Sequence, residues 1–211
     1  MAYLYIILSR TTTGAGRLIR SCTRSYYNHV SMSLKEDLSD IVSFARFSID
    51  TPMHAGFIAE PVERFLYNGA SIPIKVFRVE IPEEKSARLK EFFAGAGQQD
   101  YGLLYNYFGA LMTMFHVRCP IPGAYTCLSF ASAVLGKSYR TFQALEQDLA
   151  PFEIYRGPLE TMHPDTGDRS DPYFIPRGRL RGTKDSLVHM GRLVFRSTHL
   201  RKFDDPVMKL Q

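Results

Sequence analysis

Short apolar stretches separated by polar turns dominate the first eighty residues of the chain. Three of them, "YLYIILS" (3–9), "YYNHVSMSL" (26–34) and "IVSFARFS" (41–48), are rich in β-branched and aromatic residues and predict strands. The polar segment "KEDLSD" gives the second and third of these a hairpin spacing. "IPIKVFRVEI" (72–81) predicts a further strand, because its apolar positions alternate loosely with charged ones.

Helical patterns lie between and after these strands. "GRLIRSCT" has apolar residues at helical spacing, with Thr12 or Thr13 available as a cap. "HAGFIAEPVERFLYNG" indicates a strand edge that runs into a short helix, and Pro82 followed by two acids predicts the start of another helix. Further helices are predicted from "YGLLYNYFGALMTMF" (101–115), "TCLSFASAVLG" (126–136) and "TFQALEQDLAPF" (141–152), and a last strand from "EIYRGPL" (153–159). This order predicts an α+β fold with a mainly antiparallel sheet.

The positive charge is concentrated near the C-terminus. The chain carries a net charge of +5, and residues 177–202 hold eight basic residues and one acid, Asp185, so that the rest of the chain is slightly acidic. Such a segment attracts anionic lipid or nucleic acid, and "RGRLRG" lies close to the aromatic Tyr173 and Phe174. The competing interpretation is a solvated face.

Cysteine usage and hydropathy bear on the compartment. Three cysteines, with no C-x-x-C, do not form a disulfide framework or a zinc-ribbon or redox motif. The N-terminal apolar run lacks a basic region before it and is short for a signal peptide. No apolar run approaches the ~20 residues of a membrane span. We therefore expect a reduced, soluble and cytoplasmic protein.

Cys127 is the strongest candidate nucleophile. It begins a predicted helix directly after the Pro/Gly-broken loop "RCPIPGAY". The positive end of a helix macrodipole favours a thiolate, which is the nucleophilic form of cysteine. Cys22, near Arg20 and Arg24, and Cys119, beside Pro120, lack this placement. The alternative is a plain buried cysteine.

His29 is the strongest of the six histidines for a general base, since a rigid strand would fix its ring. A Cys–His pair needs a third polar group that orients the imidazole. Ser43 lies across the predicted hairpin and is polar among apolar residues, and Asp40 lies nearer the turn. A core histidine with a satisfied hydrogen bond remains the alternative.

Other chemistries have little support. H-x-x-x-H, H-E-x-x-H and C-x-x-C do not occur, so a metal site is not predicted. The chain has no Walker A loop and no G-x-G-x-x-G, and "TTTGAGR" is too short for a phosphate cradle. We expect no cofactor.

"TTTGAGRLIRSCTRSYYNHVSMSL", "GFIAEPVERFL" and "AYTCLSFASAVLG" together resemble the circularly permuted papain-like (NlpC-type) cysteine hydrolases of the YiiX and YebB kind. The histidine strand precedes the cysteine helix, as permutation requires. The resemblance covers roughly residues 3–160. It implies a catalytic domain over 1–160, with an antiparallel sheet or small barrel, packed helices and the nucleophile at a helix N-terminus. Residues 161–211 would be a basic extension, packed on this domain or partly flexible.

The resemblance implies Cys127 as nucleophile, His29 as base and a polar residue of the following strand, Ser43, as orienting group. The backbone N–H of Cys127, with Tyr125 or another donor, would stabilise the oxyanion. Substrates would be acyl compounds with an amide, ester or thioester bond, in peptides, cell-wall fragments or lipids. Many members carry an acid after the cysteine and serine, whereas Phe130 follows Ser129 here.

Two alternatives stay open at this point. The chain could be a binding module that kept such a fold and lost turnover. It could also bind an anionic lipid or a nucleic acid through the Arg and Lys residues of 177–202.

Overall fold

The structure is a computed structural model that describes residues 1–11, 14–23, 25–51, 53–67, 70–96, 102–159, 171–176, 178–199 and 203–210. The strands are β1 (Ala2–Ser9), β2 (His29–Ser33), β3 (Val42–Arg46), β4 (Ala55–Ala59), β5 (Leu66–Tyr67), β6 (Ala70–Ser71), β7 (Pro73–Ile81), β8 (Leu104–Tyr105), β9 (Ala124–Tyr125) and β10 (Glu153–Pro158). The α-helices are α1 (Gly14–Thr23), α2 (Glu83–Ala94), α3 (Tyr107–Thr113), α4 (Cys127–Leu135), α5 (Phe142–Leu149) and α6 (Arg179–Thr198). Short 3₁₀ turns cover Val62–Phe65, Ala150–Phe152, Pro172–Phe174 and Pro206–Leu210.

Six strands form one antiparallel sheet in the order β10-β7-β1-β2-β3-β4. The α+β class and the antiparallel sheet predicted from sequence are confirmed. The sheet has β10 and β4 as its two edges, so the described strands form an open sheet and not a small barrel. The edges stay apart because β10 pairs only with β7, and β4 only with β3.

The two faces of the sheet are buried in different ways. One face carries Leu4, Ile6 and Leu8 of β1 and packs against apolar residues of α2, α4 and α5 in the larger core. Its centre holds an aromatic cluster in which the rings of Phe44 and Phe130 lie 5.1 Å apart. Tyr5 and Ile7 face the other way and pack into a smaller core that includes Phe65. Successive side chains of β1 therefore point alternately into the two cores. Because a shift by one residue would exchange these two sets of side chains, the burial of both faces fixes the register of the sheet.

Local differences from the predicted elements have clear causes. The segment 101–115 was predicted as one helix, but Leu104–Tyr105 is strand β8 and pairs in parallel with β9. Helix α3 starts only after Asn106, whose side chain accepts a hydrogen bond from the N–H of Gly109 and so caps the helix. Strand β2 begins at His29, not at Tyr26. The cap at Thr12 or Thr13 lies outside the described residues.

Beyond the boundary predicted near residue 160, the described part of the chain packs on the sheet domain. Asp171 pairs with Arg64, and the backbone N–H of Ile49 donates to Tyr173 O at 2.9 Å. Helix α6 packs through Leu193 on Leu104, Ile121 and Ala124. No helix in the described ranges has the length and apolarity needed to cross a membrane.

Candidate active site

Cys127 is the first residue of helix α4, as predicted. Thr126 is the N-cap: its hydroxyl accepts from the backbone N–H of Ser129, and the Ser129 hydroxyl accepts from the backbone N–H of Thr126. This reciprocal capping box starts the helix at one defined residue. Because Cys127 is the first helical residue, its own N–H has no acceptor within the helix. Gly136, with φ +66°, ends the helix in the left-handed conformation.

His29 is hydrogen-bonded to Glu60 and lies beside Cys127, whose sulfur raises the pKa of the imidazole. Its Nε2 donates to both carboxylate oxygens of Glu60 at 3.1 Å. The Ser31 hydroxyl donates to Glu60 Oε2 at 2.7 Å. His29 and Glu60 are both buried. Ser31, Glu60 and His29 form a continuous hydrogen-bonded chain, and its last member, His29, lines the same cavity as Cys127.

Strand register explains why Glu60 reaches His29. Met32 of β2 pairs with Val42 of β3, and Val42 pairs in turn with Ala59, the last residue of β4. The next residue, Glu60, is held to the sheet by its backbone N–H, which donates to Ile41 O at 2.7 Å. The end of β4 therefore lies two strands away from β2 and delivers a carboxylate to its polar side.

Ser43, the orienting group predicted from sequence, does not have this role. Its hydroxyl is buried and has no hydrogen-bond partner among the residues that the structure describes. Its neighbour Val42 pairs with Met32, three residues beyond His29, so the hairpin does not bring Ser43 level with the imidazole. Glu60 provides the hydrogen bond instead. Asp40 accepts from Ser33 Oγ and is likewise engaged elsewhere.

Buried charge sets the protonation of the pair. Burial alone would lower the pKa of His29, but the carboxylate of Glu60 and the sulfur of Cys127 raise it well above 6.5. Burial would raise the pKa of Glu60, but the charge of His29, the hydrogen bonds from His29 and Ser31, and the charge of Arg64 together lower it well below its usual range. These shifts favour an imidazolium at His29 paired with the Glu60 carboxylate.

The site opens into a cavity of about 250 Å³ that is lined by Cys127, His29 and Glu60. A second cavity, of about 820 Å³, lies on the other side of the start of α4. Thr113, Thr126 and Leu128 line both. The start of α4 therefore borders both cavities, and Cys127 lines the smaller one.

Tyr125, predicted as a donor to the oxyanion, faces away from the smaller cavity. Its hydroxyl donates to Asp205 at 2.7 Å, and Asp205 also accepts the N–H of Gly123. Tyr105 lines the cavity together with Cys127. Burial and the charge of Cys127 raise the pKa of Tyr105 well above 10, which keeps its hydroxyl protonated as a donor.

Asn28, next to His29, fixes the loop that forms another wall. Its amide donates to Thr11 Oγ1 at 2.6 Å and accepts from Thr11 N at 2.9 Å. Arg20 of α1 donates to both Asn28 and Thr11. The three residues tie the end of β1, helix α1 and the start of β2 together, so the wall beside His29 is rigidly placed.

The segment after residue 170 covers one side of the cavity. Tyr173 lines it, with the guanidinium of Arg64 4.5 Å from the centre of its ring. Arg46 donates to the Tyr173 hydroxyl at 3.0 Å, and Asp171 pairs with Arg64 at 2.8 Å. The C-terminal part of the chain thus contributes a wall that the sequence did not assign.

The other cysteines and histidines that the structure describes lie outside this hydrogen-bonded chain. Cys22 is exposed and Cys119 is half-buried in the wall of the larger cavity. His189 donates to the carbonyl of Tyr105 at 3.1 Å. Across the part of the chain that the structure describes, no group of three or more His, Cys, Asp or Glu side chains is placed to hold a metal ion.

Comparison with protein-family models, curated proteins and solved structures finds no match to this chain.

Proposed function

We propose that the chain is a cysteine-dependent hydrolase or acyltransferase with a Cys127–His29–Glu60 site. The observation that carries the proposal is the buried chain of hydrogen bonds from Ser31 through Glu60 to His29, which lies beside Cys127 at the start of α4. A nucleophile, a base within hydrogen-bond reach and a third group that orients the base are the parts that acyl transfer requires. An open cavity at the sulfur provides room for the acyl group.

In the first half-reaction, the Cys127 thiolate attacks the carbonyl carbon and forms a C–S bond. In this mechanism, the N–H of Cys127 and the Tyr105 hydroxyl donate to the oxyanion. His29 gives its proton to the leaving group as the old bond to the carbonyl carbon breaks. Glu60 is a positioning residue that holds the imidazolium through Nε2.

In the second half-reaction, His29 takes a proton from water or from another acceptor. The activated oxygen or nitrogen attacks the thioester, and the acyl group leaves Cys127 as the sulfur regains its starting state. Water gives hydrolysis and another nucleophile gives acyl transfer. The substrate class is an amide, ester or thioester.

The fold is consistent with a permuted papain-like enzyme. The sheet is antiparallel, the base lies on a strand, and the nucleophile begins a helix that follows it in the chain. We therefore propose this family as the one to which the chain is related.

The test is covalent labelling with an acyloxymethyl ketone, a probe that reacts with nucleophilic cysteines. The labelled chain carries Cys22→Ser and Cys119→Ser. These substitutions remove the exposed and half-exposed thiols that react without catalysis. We expect a single labelled residue, Cys127. His29→Ala should slow labelling strongly, whereas His199→Ala, at an exposed histidine outside the site, should not.

Turnover is then measured with short acyl p-nitrophenyl esters and thioesters, where a burst of one equivalent reports the acyl-enzyme. Labelling that is equally fast in the His29→Ala variant would contradict the proposal. A labelled Cys127 without any burst on these or on amide substrates would indicate a binding module that lost turnover.

A further inference from the structure

The exposed side of helix α6 carries apolar residues in one continuous stripe. At 100° per residue, positions 180, 187, 188, 194 and 195 fall within about a third of the helix circumference. Leu180, Leu187 and Phe195 are 91%, 68% and 64% exposed, and Val188 and Val194 are about half exposed. These five residues, with the exposed Lys184 among them, are called the outer face of α6.

The opposite side of α6 is what packs on the protein. His189 and Leu193 are buried, and His189 donates to the carbonyl of Tyr105. Gly182 comes so close to Thr51 that an added Cβ would lie 3.0 Å from its hydroxyl. Arg196 donates to the carbonyls of Gly102 and Gly123. These contacts hold the packed side of α6 against the protein. The outer face is therefore the side of the helix that is exposed when the helix is packed in place.

The distribution of charged residues on α6 indicates which kind of partner the outer face can bind. Lys184, Arg181 and Arg192 are exposed on or beside the outer face. The acid of the helix, Asp185, lies on the packed side, with Oδ2 4.0 Å from His54 Nδ1. The face that α6 presents thus combines apolar side chains with positive charge alone.

We propose that the outer face of α6 docks on the surface of an anionic lipid bilayer. Helices that lie in a membrane interface have apolar side chains that enter the acyl boundary and basic residues that contact anionic headgroups. A second copy of the chain would place like charges together, which disfavours a dimer through this face. Nucleic acid would use the basic residues but would leave the exposed leucines and valines without a role.

Docking is interfacial and does not require the helix to leave the protein. Helix α6 has twenty residues, but its packed side stays on the protein while the outer face enters the headgroup region. Tyr105, whose carbonyl accepts the hydrogen bond from His189, lines the cavity at Cys127. The bound chain would therefore hold this cavity close to the membrane surface.

The absence of tryptophan from the chain gives a direct reporter. In the full chain, Phe195→Trp places a single tryptophan on the outer face. We expect its emission to shift to the blue and to be quenched by brominated acyl chains when vesicles of phosphatidylcholine with about one third phosphatidylglycerol are added. The matched control is Phe152→Trp, because Phe152 is exposed outside α6, and its emission should not change.

Vesicle flotation of the otherwise native chain measures binding itself. Leu187→Ser with Phe195→Ser should abolish flotation with anionic vesicles, and Lys184→Glu with Arg192→Glu should reduce it by at least tenfold. The control for charge is Lys90→Glu, on exposed α2, and the control for apolar exposure is Ile154→Thr, on the edge strand β10. Both controls should float as the native chain does, and high salt should weaken the native binding.

Three results would overturn the proposal. The first is equal behaviour of native chain and both α6 double variants. The second is a native dimer that becomes a monomer when Leu187 and Phe195 are replaced, since a second copy would then cover the face. The third is that the native chain binds a single-stranded oligonucleotide and does not bind vesicles. In that case the Lys184→Glu, Arg192→Glu variant would lose oligonucleotide binding, and the Leu187→Ser, Phe195→Ser variant would keep it. The readouts do not use catalysis, so they are independent of the function proposed for Cys127.

Discussion

Glu60 accepts a hydrogen bond from His29 Nε2 in a buried environment, although the two residues lie 31 positions apart in the chain and Glu60 follows β4, a strand that does not neighbour β2. Because both carboxylate oxygens are 3.1 Å from the same nitrogen, the imidazole is anchored through Nε2 beside Cys127. The carboxylate also stabilises the positive charge that His29 carries. Reactivity of Cys127 should therefore depend on a residue that does not contact it.

Glu60→Gln should lower the rate of Cys127 acylation on the order of 10²-fold or more, because an amide does not stabilise the imidazolium. Glu60→Asp should retain more of the rate, since it keeps the charge. The measurement is the acylation rate as a function of pH, in the chain lacking Cys22 and Cys119. We expect the Gln variant to lose the high-pH part of the wild-type profile, because the pKa of His29 falls without the carboxylate and the imidazolium is then lost at a lower pH.

The control for this substitution is Ser43→Ala. Ser43 is buried on the neighbouring strand, but its hydroxyl makes no hydrogen bond in the described structure. Removal of an unpaired buried hydroxyl should leave folding nearly unchanged and the acylation rate within about twofold. A Ser43→Ala variant as slow as Glu60→Gln would contradict the assignment of Glu60 as the orienting group.

The same pair should make stability depend on pH. The folded-state pKa of His29 is raised, so its contribution is fully present below its unfolded pKa of about 6.5 and is lost as pH rises through the folded pKa. The folded-state pKa of Glu60 is lowered, so its contribution is present above about 4.5 and is lost as pH falls through the folded pKa. The native chain should therefore have a higher free energy of unfolding than Glu60→Gln, and this difference should be greatest between about pH 4.5 and 6.5.

Urea unfolding at pH 5.5 and 8.5 checks this expectation. The difference between native chain and Glu60→Gln should exceed about 1.4 kcal/mol at pH 5.5, which corresponds to one pKa unit, and should be smaller at pH 8.5. Ser43→Ala serves again as the control and should show no such trend. A difference that grows with pH would show that Glu60 does not stabilise a charged His29.

The parts of the site that sequence predicts are those with local signals. Cys127 follows a threonine that has a serine three residues later, and this spacing specifies where α4 starts. His29 lies in a short run with strand character, and β2 begins there. Most strands and helices are specified by apolar and polar patterns that span about ten residues of sequence. The α+β class can therefore be predicted without knowledge of long-range contacts.

Glu60 was missed because its role depends on pairing between distant strands. The registers Met32–Val42 and Val42–Ala59 bring it to His29, and one sequence does not fix either of them. A carboxylate at a strand end is ordinarily solvated. The signal that was present is its setting, directly after the apolar "AGFIA" and before Pro61, in the segment "GFIAEPVERFL".

The C-terminal helix α6 escaped prediction for a different reason. Its apolar residues form a stripe on the exposed side, and the packed side includes the polar His189 and the close-packed Gly182. Two glycines within the helix, Gly182 and Gly191, lower its intrinsic helix propensity. Positive charge was therefore the dominant pattern in the sequence, and tertiary contacts determine the helix.

Tyr105→Phe tests the second donor to the oxyanion. The variant keeps the ring packed against Tyr107, 4.8 Å away between ring centres, and removes only the hydroxyl. Loss of one oxyanion donor should lower kcat on the order of 10²-fold with little change in KM. Tyr125→Phe is the control, because that hydroxyl donates to Asp205 and should affect stability more than kcat. If Tyr125→Phe lowered kcat and Tyr105→Phe did not, Tyr125 would be the donor to the oxyanion.

Thr126→Ala tests whether the helix start places the nucleophile. Loss of the capping hydroxyl should cost about 1 kcal/mol of stability and should also slow acylation of Cys127, since the helix end frays at that residue. Thr141→Ala is the matched control, because Thr141 caps α5 in the same way through the N–H of Ala144. It should cost similar stability without slowing acylation. Equal effects of both variants on acylation would indicate a general loss of folding.

Tyr173→Ala tests the wall that the C-terminal part of the chain adds to the cavity. Tyr173 is held by the ring contact with Arg64 and the hydrogen bond from Arg46, so its removal should widen access to Cys127. We expect the rate of labelling by a bulky N-aryl maleimide to rise relative to the rate with iodoacetamide. Ile175→Ala, at a residue 61% exposed in the same segment, should leave this ratio unchanged. If both variants leave the ratio at its native value, Tyr173 does not limit access, and specificity must come from the walls formed by Thr113 and Leu128.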